Sequence, residues 1–287
     1  MESSFRSRFL SLNLAMLLIS TSGVLGRYIT LWPVVTIAYR ALLALLVLSA
    51  YLWWKKASIR IEKKDLGMIL LSGLLMGAHW VLYYEALRRS TVAIGMLTIF
   101  TYPALTALLE PLFLRSRLQW FHIGLALLVL VGVSLLVPEF SLEHEYTQAA
   151  GFGLLSALAY ALRNIILKTK VRRYSGSLLM TTQLLVIALV LSPFLFAAEG
   201  TAVSNALPYL LILAILTTAV GHTLFVMSFK HFSITAASIM SSVQPVYGIL
   251  LGVLFLGEVP PGRTLLGGLL IVVAVALEGI KSSRDST

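Results

Sequence analysis

No cysteine occurs among the 287 residues. That excludes disulfides, metal–thiolate sites and cysteine nucleophiles, and says nothing about compartment. Charge is scarce as well. Asp, Glu, Lys and Arg make up 12% of the chain, where a soluble domain averages about 25%. Acidic residues number twelve, mostly at the edges of apolar stretches. No HExxH, GxSxG, P-loop or supported carboxylate pair is present, so the chain carries no enzyme signature and no module for ATP hydrolysis. The alternating strand pattern of a membrane barrel is missing too.

What fills the chain is apolar sequence: 59% of residues, with a mean hydropathy of +0.92. Ten apolar stretches are predicted near 9–29, 34–54, 66–87, 92–113, 119–137, 149–167, 177–197, 207–229, 233–256 and 264–280. A bilayer core of about 30 Å needs roughly 20 apolar residues per helix. Backbone in lipid must satisfy its own hydrogen bonds, so these spans are expected to be helices. They consume most of the chain and leave only short loops.

The Lys and Arg residues sort by side. With a cytoplasmic N-terminus, sixteen of the twenty-two fall in inside segments: Arg6, Arg8, Lys55, Lys56, Arg60, Lys63, Lys64, Arg115, Arg117, Lys168, Lys170, Arg172, Arg173, Lys230, Lys281 and Arg284. Four fall outside (Arg27, Arg88, Arg89, Arg263), and two, Arg40 and Arg163, lie within spans. Short cytoplasmic loops carry excess Lys and Arg, which predicts both termini in the cytoplasm and a multi-pass protein of the plasma (inner) membrane. The net charge of +10 therefore reads as topology and attraction to anionic headgroups, not as a nucleic-acid surface. Arg6 and Arg8 before an apolar run imitate a signal peptide. The run continues for about 20 residues, the length of a spanning helix, and ends in no small-x-small site, so a retained first helix is expected.

An internal repeat is visible. GAHWVLYYEALRRSTVAIGMLTIFTYPALTALLEPLFL from Gly77 and GHTLFVMSFKHFSITAASIMSSVQPVYGILLGVLFLG from Gly221 share a helix, a short basic or polar turn, a helix with a central Pro and an LFL end. Pro103 and Pro245 anchor the match, 142 residues apart, and His79 and His222 correspond to within one residue. The halves, 1–140 and 141–287, meet in the polar segment Pro138–Gln148. Five helices per half is an odd number, so the second half is expected to thread the bilayer in the opposite sense. Such inverted pairs build many secondary transporters, with the solute near the midplane between them.

These motifs resemble the ten-helix EamA-type branch of the drug/metabolite transporter superfamily. The resemblance rests on Ala86-Leu87-Arg88 to Pro103, its second copy Phe229-Lys230 to Pro245, the closing LFLGE of Leu254 to Glu258, and Arg40 in AYRALLALLVL. It covers essentially the whole chain. It implies an all-α, ten-helix inverted repeat with cytoplasmic termini, carrying small metabolites, often outward. There are departures: the first half reads LFLRSR, and Gln244 precedes Pro245 where a Glu is common in the family. Ion coupling through that Glu is not carried over.

Candidate residues follow from chemistry in apolar surroundings. Ionisable groups within spans face the protein interior or a wet cavity. Arg40, roughly 9 Å deep at 1.5 Å per residue, reads as an anion site or as the structural partner of Glu85. Arg163 and Glu110 read as a pair across the halves, or as snorkelling groups, with Glu110 near Arg115. His79 and His222 offer a proton relay or a helix-packing hydrogen bond. Trp80 and Tyr84, like His79 and Tyr83, are i, i+4 and share a helix face. With Tyr39, Tyr102, Tyr160 and Tyr247 they offer stacking and cation–π contact to a solute. Trp32, Trp53, Trp54 and Trp120 fit an interfacial belt. Pro103 and Pro245 are expected to kink their helices and act as hinges. Gly73 with Gly77, and Gly248 with Gly252, have the spacing of close helix contacts within the monomer. Glu258 reads as an exposed turn residue beside Arg263, and Glu278 as a partner of Lys281.

The expectation is a carrier of small amphipathic solutes, amino acids among them, working by alternating access. Its solute-site candidates are Tyr39, Arg40, His79, Trp80, Tyr83, Tyr102, Tyr160, His222, Gln244 and Tyr247. No cofactor, metal or nucleic acid is expected; membrane lipid is a partner beside the solute, and the sequence does not set an oligomeric state. A channel and a non-transporting membrane scaffold are the alternatives.

Overall fold

A computed structural model describes residues 2–114, 120–137, 141, 143–232, 241 and 243–284. The predicted span starting at 233, the basic residues Arg115 and Arg117, and the side chains of Arg6, Glu278, Lys281 and Arg284 lie wholly or partly outside the described residues. The described chain is all-helical, 85% helix without strand. In chain order the helices are α1 (Glu2–Tyr28), α2 (Pro33–Trp54), α3 (Lys63–Arg89), α4 (Val92–Ile99), α5 (Tyr102–Leu114), α6 (Trp120–Leu136), α7 (Glu145–Lys170), α8 (Gly176–Leu191), α9 (Gly200–Ile212), α10 (Thr223–Ser228), α11 (Val243–Leu256) and α12 (Gly262–Arg284). A ten-residue π-helical segment, Leu213–His222, joins α9 to α10.

Seven stretches are long and apolar enough to cross a bilayer, among them the combined Val92–Phe113 and Gly200–Ser228. Three further apolar helices are shorter: Ile123–Leu136, Val243–Leu256 and Gly262–Leu277. Helix starts follow local chemistry. Pro33 opens α2, where its missing N–H breaks no helical bond. Thr91 and Ser175 cap α4 and α8 through their hydroxyls. The predicted stretch 207–229 begins earlier, at Gly200, because hydropathy marks the apolar middle of a helix and misses its polar first turn.

Little hydrophobic force separates helix from lipid, so close packing holds such a bundle together. Gly73 and Gly77 let α3 lie against α8. An added Cβ at Gly73 would come within 2.8 Å of Val186 Cβ, and at Gly77 within 3.2 Å of Ile187. Where α6 crosses α12, Gly132 sits directly over the Gly267 carbonyl, and a Cβ would reach 2.8 Å from it. Gly248 and Gly252 seat α11 on Met96 and Val92 of α4. These spacings serve packing within the chain, as expected.

The helix contacts come in matched pairs. α3 packs on α7, and α1 packs on the π segment; α3 packs on α8, and α2 on the π segment. α1 lies on α11 as α5 and α4 lie on α7. α2 also packs on α8, α4 on α11 and α6 on α12. Leu and Val side chains cover the outside. Trp32, Trp53, Trp54 and Trp120 project at helix ends with 69–87% exposure, as amphipathic rings do at a membrane–water boundary.

Candidate solute site

Elements of both halves converge on a small central cavity. α3 presents His79, Trp80 and Tyr83; α2 presents Arg40; α5 presents Tyr102; α7 presents Tyr160; the π segment ends on His222; and α11 presents Gln244. All eight were sequence candidates. Ile19 and Ser22 of α1 and Ile99 and Phe100 complete the lining. Nothing in the sequence separated those four from ordinary apolar core. The free space is about 20 Å³, room for about one water. Tyr39 and Tyr247 lie elsewhere. The Tyr39 hydroxyl donates to the Leu195 carbonyl at 2.8 Å, and Tyr247 packs against the core.

Arg40 is 1% exposed. Its Nε donates to Thr218 Oγ1 at 2.7 Å, and its guanidinium lies 3.9 Å over the Trp80 ring. Trp80 in turn meets the His222 ring edge-on at 5.4 Å. Arg40 Nη1 and Nη2, Tyr83 Oη and His222 Nδ1 are buried and complete no hydrogen bond of full geometry; the Tyr84 hydroxyl lies beside Arg40 and Ser22 beside Tyr83. All four atoms belong to cavity-lining residues. Buried polar atoms are normally paired, and these four stand out against that rule.

Two expected ion pairs are not formed. Glu85 binds Arg88 at 2.9 Å and Arg89 at 3.5 Å, three and four residues on along α3. Arg40 faces the π segment instead, because α2 packs there. Glu110 binds Lys168 at 3.3 Å. Arg163 points inward and engages neutral groups: Nε to Gln183 Oε1 at 2.9 Å, Nη1 to Asn164 Oδ1 at 2.9 Å and Nη2 to Met180 sulfur at 3.8 Å. The possible contact of Glu110 with Arg115 lies outside the described residues.

The two histidines differ. His79 Nδ1 lies 2.9 Å from Ser156 Oγ, which donates back to the His79 carbonyl at 2.8 Å. That is a packing bond between α3 and α7. His79 also stacks on Tyr160 at 4.3 Å, and Tyr160 meets Tyr102 edge-on at 4.9 Å. Tyr102 Oη lies 2.7 Å from Ser241 Oγ. The paired prolines do not kink continuous helices. Pro103 and Pro245 each sit in the first turn of a helix, α5 and α11, where the missing N–H costs no bond. The break lies just before Pro103, at Phe100–Thr101.

Carboxylates join the halves at both ends of the bundle. At the end where α3 starts, Asp65 accepts from Lys170 at 2.8 Å, Arg173 at 3.0 Å and Tyr174 at 2.7 Å. Beside it, the Lys64 ammonium holds the exposed Glu62 carboxyl below the usual carboxylate range. At the opposite end Glu258 accepts from Arg27 at 3.1 Å and from the Val92 N–H at 2.7 Å. Its partner is Arg27, not the sequence neighbour Arg263, because α1 ends against the turn that follows α11.

The model of the EamA-like transporter family matches twice, over residues 8–137 and 147–278. The chain belongs to the EamA-like transporter family. Among its relatives is the pseudopaline exporter CntI of Pseudomonas aeruginosa, 28% identical over 236 residues and 82% of each chain. A probable terminal-alkyne amino-acid exporter of Streptantibioticus cattleyicolor is 25% identical over 222 residues, 76% of this chain and 74% of that one. Protein RarD of Salmonella typhi is 26% identical over 241 residues, 80% and 78% of the two chains. A crystal structure sharing 19% identity superimposes with a TM-score of 0.72 over 98% of this chain and 99% of the other. At that identity the likeness concerns fold alone. EamA-like membership makes this a membrane protein of the transport class, with exporters of small molecules among its relatives.

Proposed function

We propose that the chain is a secondary transporter that exports small amphipathic metabolites, amino acids or their derivatives among them, by alternating access. The observation that carries this is the central cavity, lined from both halves and holding a cluster of unpaired polar atoms. The ten apolar stretches are read as ten spans, in two five-helix halves, 1–140 and 141–287, of inverted sense. The paired helix contacts and the double family match support that reading. An odd helix count per half then reverses the second, and both termini lie in the cytoplasm of a plasma (inner) membrane.

Space for about one water does not admit a metabolite, so the cavity must widen toward one side at a time. The break before Pro103 and the first turn of α11 at Pro245 are the hinges in this scheme. The carboxylate contacts of Asp65 and Glu258 close the two ends. A channel would need a continuous path, and both ends are tied.

The natural absence of cysteine gives a clean test. Ser22→Cys places a single thiol in the cavity. A membrane-impermeant maleimide is expected to label it from either face of oriented vesicles, and a transported solute is expected to slow labelling from both. Labelling from one face alone, unaffected by any transported solute, would refute alternating access at this cavity.

A further inference from the structure

The cavity has an electrostatic imbalance. Two guanidinium groups, Arg40 and Arg163, are buried at 1% and 0% exposure. No Asp or Glu is among the residues lining the cavity. Of the carboxylates on the cavity helices, Glu85, Glu110 and Asp65 are each engaged by a Lys or Arg, and Glu145 lies in the first turn of α7, outside the cavity lining. Arg163 has neutral partners only. Burying a charge without a counter-charge is strongly unfavourable. The bundle tolerates one such charge, Arg40, in the cavity lining and a second, Arg163, behind the lining residue Tyr160.

Arg40 is also oriented. Trp80 holds one face of its plane and Thr218 holds Nε. That leaves Nη1 and Nη2, the edge of the fork that matches two carboxylate oxygens. An ammonium entering the same space would meet the Arg40 guanidinium, with Arg163 5.6 Å behind the Tyr160 ring, and no acid in the lining.

We propose that the solute crosses as an organic monoanion, its carboxylate seated on Arg40 Nη1 and Nη2, and that an inside-negative membrane potential drives its export. The inference rests on the transporter reading above and adds the charge class and the driving force. One negative charge moves outward per cycle, because the guanidinium stays with the protein. A potential of 100 mV shifts the equilibrium distribution of a monovalent anion about 50-fold. Export then needs neither ATP nor an exchanged proton, and its direction follows from the charge of the solute.

The test uses the full chain in proteoliposomes with three probes that share one ring: N-acetyl-phenylalanine (anion), phenylalanine (zwitterion) and trimethyl-2-phenylethylammonium (cation). Protein-free vesicles set the leak. A potassium diffusion potential with valinomycin is imposed at equal pH. The expected result is protein-dependent efflux of N-acetyl-phenylalanine that rises at least several-fold when the inside is made negative and falls when it is made positive. A pH gradient at zero potential is expected to leave it unchanged. Arg40→Gln is expected to lower this flux at least tenfold, and Arg40→Lys to restore part of it. Anion flux indifferent to potential, preference for the cation or the zwitterion, or full flux in Arg40→Gln would overturn the proposal while leaving the transporter reading intact. No protein-dependent movement of any probe would overturn both.

Discussion

Arg40 and Arg163 sit in different halves of the bundle, both fully buried, both on spanning helices, both without a carboxylate partner. Arg163 commits all three nitrogens to side chains around it. Arg40 commits Nε to Thr218, and its Nη1 and Nη2, beside the Tyr84 hydroxyl, complete no hydrogen bond of full geometry. The histidines divide the same way: His79 is locked to Ser156, and His222 Nδ1 is free. Burial and sequence position make each pair look alike. What separates a structural from a ligand-facing group is how many of its donors the protein already uses. Four of the six unused ones among the described residues belong to residues that line one cavity.

The largest expected effect breaks the arginine comparison. Arg163→Met strands the Gln183 and Asn164 amides and should cost about 3 kcal/mol, since hydrogen bonds to a buried charge are worth about 1.5–3 each. Arg40→Met removes an uncompensated charge and should leave stability unchanged or raised. Thermal unfolding in detergent reads both; equal losses would collapse the distinction. The histidine pair gives a smaller contrast. His79→Leu should cost about 1 kcal/mol by removing the imidazole bond to Ser156, whose hydroxyl keeps its bond to the carbonyl of residue 79, and His222→Leu less than about 0.5 kcal/mol. The same unfolding curves settle the order. The smallest effect concerns the exposed rim. The lowered Glu62 pKa contributes stability above the ordinary carboxylate range, and that contribution fades as pH falls through the lowered value. Glu62→Gln should remove that pH dependence, with a change in midpoint near the limit of detection and none at high salt. A large shift at neutral pH would show that the rim is not merely solvated.

Much of this was legible in the chain. Hydropathy located the helices, because lipid demands length and apolarity before anything else. The i, i+4 spacing of His79 and Tyr83 put an aromatic face on α3 that does line the cavity. Partner choice was not legible. Whether Arg40 meets Glu85 or Thr218 depends on how α2 is rotated against the π segment, and sequence distance carries no record of that rotation. Glu258 finds Arg27 across 231 residues for the same reason. Tyr247 shares the mid-span setting of Tyr102 but packs against the core outside the cavity lining. The prolines were read as kinks because a Pro inside an apolar run looks internal; the helix break before it shows only in the backbone.

The π segment Leu213–His222 carries its own consequence. It holds Thr218, which seats Arg40, and ends on His222. Its bonds reach five residues back, so it stores one surplus residue within an otherwise α-helical rod. Tightening it to the α repeat would swing everything beyond by about 100°, taking the imidazole away from the indole and the threonine away from the guanidinium in a single motion. One dislocation in one rod thus indexes the polar furniture of the chamber, and a deletion of one residue there would re-aim it without altering any side chain's chemistry.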